Sequence, residues 1–257
     1  MEDGYSGGGG GRLYVVGTGP GGSEHVTPAA MDAIGNADVV IGYKTYLDLI
    51  PALIADKEVI SSEMMKEVDR CRMAIKLAED GKTVALVSGG DPGIYAMAGL
   101  VFELAKTNDL YHLDIQVIPG IAALNACASR LGAPIMHDFA AISLSDLLTP
   151  WEVIEMRLKA AASADMVIVL YNPRSKRREG HIMKARDIIL EHRPPETPVG
   201  IVTAAARDDE SIIITDLGAM CEAAINMQTT VIIGNSLTFV WNNRIITPRG
   251  YQNKYLL

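Results

Sequence analysis

The chain has 257 residues, 49% of them hydrophobic but only 5% aromatic, and 31 acidic against 23 basic side chains give a formal net charge of −8. That length and composition suit one large α/β domain or two modest ones with real cores, and the acidic balance disfavours nucleic acid as the main partner. Apolar runs stay strand-length, far short of a membrane span, while Cys71, Cys127 and Cys221 lie far apart with no paired spacing, which argues against a bound metal and fits a reducing, cytoplasmic setting.

The acidic, glycine-rich start, unbroken glycine from Gly7 to Gly11, is no signal peptide and reads as a disordered tail over residues 1–11. Residues 12–16 are the first expected strand. Thr27-Pro28 has the form of an N-cap followed by a first-turn proline, so a helix starts there. Residues 37–42 are the next strand, and 64–80 form an amphipathic helix closed by Gly81. A buried strand over 83–87 breaks into glycines before a helix at 100–105, and a strand over 115–118 ends in Pro119-Gly120. This βα repetition predicts a mainly parallel sheet.

After a helix near 121–131 the pattern changes. Strands at 140–144 and 166–170 flank a helix starting near Pro150, and 199–203 with 211–215 read as an antiparallel hairpin around a polar loop. Residues 229–233 are one more strand and 239–247 a last edge. The expected organisation is therefore two α/β domains, one over 12–121 and one over 122–257, the second with more antiparallel pairing.

Two glycine loops stand out. Gly17-Thr18-Gly19-Pro20-Gly21-Gly22 satisfies G-x-G-x-x-G after a strand, yet the helix starts at Thr27, and the second strand has Gly42 rather than an acid at its end. A tight loop at the mouth of a ligand site is expected instead of a dinucleotide fingerprint. The second loop, Ser88-Gly89-Gly90-Asp91-Pro92-Gly93-Ile94-Tyr95, can hold a ligand by main chain because glycine admits close approach. Asp91-Pro92 also has the form of a helix N-cap and first-turn proline.

These two loops, with Pro119-Gly120-Ile121-Ala122-Ala123, resemble the tetrapyrrole methylase family over residues 12–251. The segments 124–126, 136–139, 142–152 (Ile142 through Ser145-Asp146-Leu147-Leu148 to Glu152), Leu170-Tyr171-Asn172-Pro173-Arg174-Ser175-Lys176-Arg177 and Ile233-Gly234-Asn235-Ser236 are similar to its precorrin-3B or cobalt-factor III C-17 methyltransferases. The resemblance implies two α/β domains with S-adenosylmethionine in the cleft between them, a homodimer, and methylation of carbon 17 with ring contraction in cobalamin synthesis. It implies cofactor contacts by Gly89, Gly90, Asp91, Ile94, Tyr95, Ala122 and Ala123 from the first domain. From the second it implies Asn172, Ala205, Thr229, Thr230 and Val231, although Thr229-Thr230 is also ordinary strand composition. Some relatives carry a C-terminal iron–sulfur region; no cysteine cluster for one occurs here.

In-line methyl transfer needs positioning more than a strong catalytic group, but ring contraction moves protons. The candidates are His137, Asp138, Ser145 and Asp146, against the simpler readings that His137 is a bonded structural histidine and Asp146 a cap. A tetrapyrrole bearing many carboxylates, bound by an acidic protein, requires local positive charge. Arg174, Lys176, Arg177 and Arg178 supply it, with Arg207 a lesser candidate, unless that loop is merely solvated.

Overall fold

The computed structural model describes residues 11–63 and 66–256. The expected tail over residues 1–10 and the start of the expected helix at 64–65 lie outside the described residues. Gly11 corrects the tail's limit: it is buried, its N–H donates to the Ala78 carbonyl at 3.1 Å, and a Cβ there would fall 2.2 Å from the Lys82 carbonyl oxygen. The chain divides into two compact units, one ending at Ala123 and one beginning at Leu124.

The first unit runs β1 (Arg12–Gly17), α1 (Pro28–Gly35), β2 (Val39–Tyr43), α2 (Lys44–Leu47), β3 (Glu58–Ser62), α3 (Glu67–Glu79), β4 (Thr83–Ser88), α4 (Ala98–Thr107) and β5 (Asp114–Ile118). Its five strands are all parallel, in the order β3-β2-β4-β1-β5. The central strands are apolar on both faces, as a sheet covered by helices on both sides requires. Leu13, Val15, Ile41 and Leu86 pack against Cys71, Ala74 and Ala78 of α3 and Val101 of α4. Their neighbours Tyr14, Val16, Val40 and Val87 pack on Ala30, Ala33 and Ile34 of α1. Each large aliphatic side chain buried this way contributes about 1.5–3 kcal/mol.

Local signals set the helix ends. Thr27 Oγ1 accepts the Ala30 N–H at 3.2 Å with Pro28 in the first turn. After α3, Gly81 takes a left-handed φ of +93°, and Lys82 N–H returns to the Leu77 carbonyl.

The second unit contains α5 (Ala123–Leu131), β6 (Gly132–Ala133), β7 (Phe139–Ser143), α6 (Trp151–Ser163), β8 (Val167–Tyr171), α7 (His181–Leu190), β9 (Pro198–Thr203), β10 (Ser211–Asp216), β11 (Thr229–Ile233), β12 (Phe239–Trp241) and β13 (Arg244–Ile246). Its main sheet has the order β10-β9-β11-β8-β7, with only β7 and β8 parallel. Ile154 and Leu158 of α6 and Ile182, Ala185 and Ile189 of α7 close one face over Ile168, Leu170, Ile201 and Val231.

Several features depart from the sequence expectations, which do not include β3, the short α2 or β6. The last strand pair is no edge of this sheet: β12 and β13 form a hairpin that pairs with β6 in a separate three-stranded sheet. Asn242 and Asn243, at φ 47° and 54°, supply the left-handed turn that folds the pair back on itself. Helix α7 is additional, and its signal is the helical spacing of Ile182, Ala185, Ile188 and Ile189.

Candidate active site

In the first unit, three glycine loops meet at the carboxyl ends of β1, β4 and β5, where parallel sheets place their ligands. Gly19 and Gly90 exchange backbone hydrogen bonds at 3.2 and 2.7 Å, and Thr18 N–H donates to the Ser88 carbonyl at 2.9 Å. Close approach explains the glycines: a Cβ on Gly17 would lie 2.6 Å from the Gly90 carbonyl oxygen, and one on Gly120 only 2.2 Å from the same atom. Gly90 itself has φ +68°, and the nearest atom to a Cβ there is the Ala123 nitrogen at 3.6 Å. Gly89, Gly90, Asp91, Ala122 and Ala123 are thus brought to one end of the sheet, and Tyr95 follows in the β4 loop, half-exposed at a left-handed φ of 52°. Ile94 lies in the same loop, its N–H bonded to the Asp91 carbonyl.

Asp91 is not the N-cap that Asp91-Pro92 suggests. Helix α4 starts only at Ala98, after Met97. The Asp91 carboxylate instead accepts the Gly93 N–H at 2.8 Å and, through its other oxygen, the Gly120 N–H at 3.2 Å. Both oxygens hold loops together, which leaves neither for a helix.

In the second unit, antiparallel pairing puts the end of β8, the end of β9 and the start of β11 on one edge. Backbone strain collects there. Asn172 follows β8 at φ 51°, and Ala204 and Ala206 follow β9 at 50° and 61°, flanking the buried Ala205. Such conformations in residues with a Cβ cost about 1–3 kcal/mol each and gather at ligand sites. Asn172 Nδ2 donates to Ser143 Oγ at 3.0 Å, which ties β8 to the end of β7. Thr229 Oγ1 is paired with Thr203 Oγ1 at 2.7 Å. Thr230 is buried beside Cys127, whose thiol is pushed up to about 11 by burial and is therefore no thiolate nucleophile at neutral pH. The Val231 side chain lies wholly in the core.

The basic loop opens directly after Asn172. Arg174 is half-buried and Lys176 and Arg177 are exposed, and among the described residues none of the three has an ion-pair partner. Arg178 differs: at 8% exposure, its Nε donates to Ser175 Oγ and its Nη2 to the Met227 sulfur, while its buried Nη1 has no partner. Arg207 lies in the loop between β9 and β10, close to Ala205.

The four acid–base candidates separate into two pairs. Ser145 and Asp146 follow the carboxyl end of β7, on the Asn172 edge. His137 and Asp138 precede its first residue, so the length of a five-residue strand, about 16 Å, lies between the pairs. There His137 Nδ1 accepts the Asp138 N–H at 2.8 Å, and both residues line a cavity of about 640 Å³ with Met136, Phe139, Met166 and Arg249. Sequence spacing gives no hint of the partner that Asp146 does have, His181 at 3.6 Å, because only the folding of α7 against the β7–α6 loop joins them.

Comparison with known proteins decides the family. A family model of tetrapyrrole (corrin/porphyrin) methylases matches residues 12–221. The chain belongs to this family. It is 52% identical over 250 residues to the cobalt-factor III methyltransferase of Priestia megaterium, covering 96% of this chain but 46% of that protein, so it spans about half the length of that relative. It is 50% identical over 239 residues to a probable cobalt-factor III C(17)-methyltransferase of Salmonella typhimurium, covering 93% of this chain and 99% of that one. The solved structure of the methyltransferase CobJ superposes with a TM-score of 0.86 at 34% identity, covering 93% of this chain and 100% of that one.

Tetrapyrrole methylases take their methyl group from S-adenosylmethionine, and the glycine loops of this chain fit such a group. The three interlocked loops present main chain rather than side chains, and a Cβ on Gly90 would stand against the backbone of Ile121, Ala122 and Ala123 at 3.6–4.0 Å. The Ile233-Gly234-Asn235-Ser236 motif serves the fold: Asn235 Oδ1 accepts from Leu237 N–H and Thr238 Oγ1, and Ser236 bonds Asp165.

Proposed function

We propose that this methylase transfers the methyl group of S-adenosylmethionine to carbon 17 of precorrin-3B or cobalt-factor III, with ring contraction, in cobalamin synthesis. The observation that carries the reading is the 50% identity to the Salmonella protein across 99% of that protein's length. In this reading Gly89, Gly90, Asp91, Ile94, Tyr95, Ala122 and Ala123 of the first unit hold the methyl donor. Asn172, Ala205, Thr229, Thr230 and the backbone of Val231 hold it from the second. Arg174, Lys176 and Arg177, with the Nη1 of Arg178, take the macrocycle's carboxylates, and Ser145 and Asp146 stand on the same sheet edge. His137 and Asp138 belong to the opposite edge and have no part in the methyl-transfer step. The reading also includes a cytoplasmic homodimer; among the described residues no helix is long and apolar enough to cross a membrane.

The donor supplies an electrophilic methyl on a sulfonium, so the protein's task is alignment, exclusion of water and removal of one proton. Titration with S-adenosylhomocysteine is expected to give a micromolar Kd, roughly −8 kcal/mol, and NAD none. Incubation with methyl donor and either macrocycle, followed by mass spectrometry, is expected to add one methyl at carbon 17. Methylation at another carbon would move the chain to a different step of the pathway, and no methylation with intact donor binding would make it an inactive relative.

A further inference from the structure

His181, the first residue of α7, is 13% exposed, and its Nδ1 lies 3.0 Å from the Leu144 carbonyl oxygen. A carbonyl only accepts, so Nδ1 carries the hydrogen and Nε2 is the ring's acceptor. That Nε2 faces Asp146 Oδ2 at 3.6 Å. Two acceptors confront each other, and one proton between them satisfies both. Trp151 stacks on the imidazole, centroids 4.6 Å apart and tilted 39°. The other charged groups nearby are Lys184 of α7, 5.3 Å from the Trp151 ring, and Glu155 of α6, which bonds Trp151. Leu144, Asp146 and Trp151 all come from the segment 142–152, so one loop builds the whole setting of the ring.

We propose that Asp146 receives the proton that leaves the macrocycle and that His181 is its positioning residue; this rests on the methyl transfer proposed above. When the methyl group passes to a macrocycle carbon, the electron pair of the broken C–S bond stays on sulfur, leaving a neutral thioether. The new C–C bond uses a pair from the macrocycle, which becomes one unit more positive and returns to its former charge by losing one proton. The Asp146 carboxylate accepts that proton, His181 Nε2 shares it, and it leaves to water from the exposed side of Asp146.

The test uses the full chain with His181→Asn, which keeps a donor toward Leu144 but lacks the second ring nitrogen, and Asp146→Asn. Each variant is expected to lower kcat by about 10²–10⁴-fold while KM for the macrocycle and Kd for S-adenosylhomocysteine stay within about twofold. A residue that merely braces the loop would lower Tm without that split, and wild-type kcat in His181→Asn overturns the proposal. Nitrogen-15 imidazole spectra need no turnover: His181 is expected as the Nδ1–H tautomer, with an Nε2 resonance that moves in Asp146→Asn. An Nε2–H tautomer, or an Nε2 resonance indifferent to Asp146, also overturns it. Absence of methyl transfer by the wild-type chain is failure of the underlying reading; an active wild type with equally active variants is failure of this pairing alone.

Discussion

Asp91 shows how one carboxylate can hold two loops of the proposed donor site without touching a helix. Its two oxygens accept the N–H groups of Gly93 and Gly120, which fixes the β4 loop against the β5 loop. Asp91→Ala removes both bonds and leaves two amide donors to find water. At these partly exposed positions the loss is about 1–2 kcal/mol of stability. The larger effect is expected on the proposed donor site, because Asp91 ties the loop that carries Gly90 to the loop that carries Gly120 and Ala122. S-adenosylhomocysteine affinity is expected to fall by about tenfold, equivalent to about 1.4 kcal/mol, as read by calorimetry. Amide exchange in the first turn of α4 is expected to be unchanged, since that helix starts at Ala98 without help from Asp91. Exchange that accelerated there while affinity held would restore the capping role.

At the scale of elements, most of the first unit is legible from sequence and less of the second. The buried strands of the first unit are unbroken aliphatic runs punctuated by Thr27-Pro28 and Gly81, and each signal acts on residues next to it. The position of Asp91 was misleading because its bond to Gly120 joins segments far apart in the chain. The same holds for His181 and Asp146, and for the pairing of β13 with β6. Glu210 is a further example, invisible as a polar residue in a polar loop. Its carboxylate accepts the Ala206 N–H at 2.6 Å and the Arg130 Nε–H at 2.8 Å, so α5 anchors the strained turn after β9. Glu210→Ala is expected to lower stability by about 1–2 kcal/mol and weaken S-adenosylhomocysteine binding, since Ala205 sits inside that turn. Adding Ala206→Gly, which accepts φ 61° without strain, is expected to return part of the lost stability, a rise of about 2–4 °C in Tm per kcal/mol. No rise in Tm from Ala206→Gly would show that the turn stores no such strain.

For the whole molecule, the governing contrast is between a net charge of −8 and the anionic macrocycle proposed as its substrate. Long-range repulsion of a macrocycle with several carboxylates has to be overcome by a local field, and the loop after β8 provides one on the sheet edge that also carries Asn172. Arg174 and Arg177 are the residues to neutralise, because Arg178 is largely engaged in holding the turn through Ser175 and Met227. The double variant Arg174→Gln/Arg177→Gln is expected to raise KM for the tetrapyrrole by about tenfold at low salt, each exposed contact being worth up to about 1 kcal/mol. Kd for S-adenosylhomocysteine is expected to stay near its original value, since in this reading the donor is held mainly by backbone groups on other loops and neither arginine touches it. Raising the salt should shrink the difference between variant and wild type, as the screening length falls to about 8 Å near physiological ionic strength. The wild-type KM itself should respond in two opposed ways: salt weakens the pull of the loop and also the push of the remaining acidic surface. The double variant keeps Lys176 and Arg178 but has lost half of the loop's pull, so its KM should rise less steeply with salt than that of the wild type. A KM that stays at the wild-type value at low salt, or that follows salt as steeply as the wild type's, would leave this loop a solvated turn and send the search for the carboxylate-binding cation to Arg207.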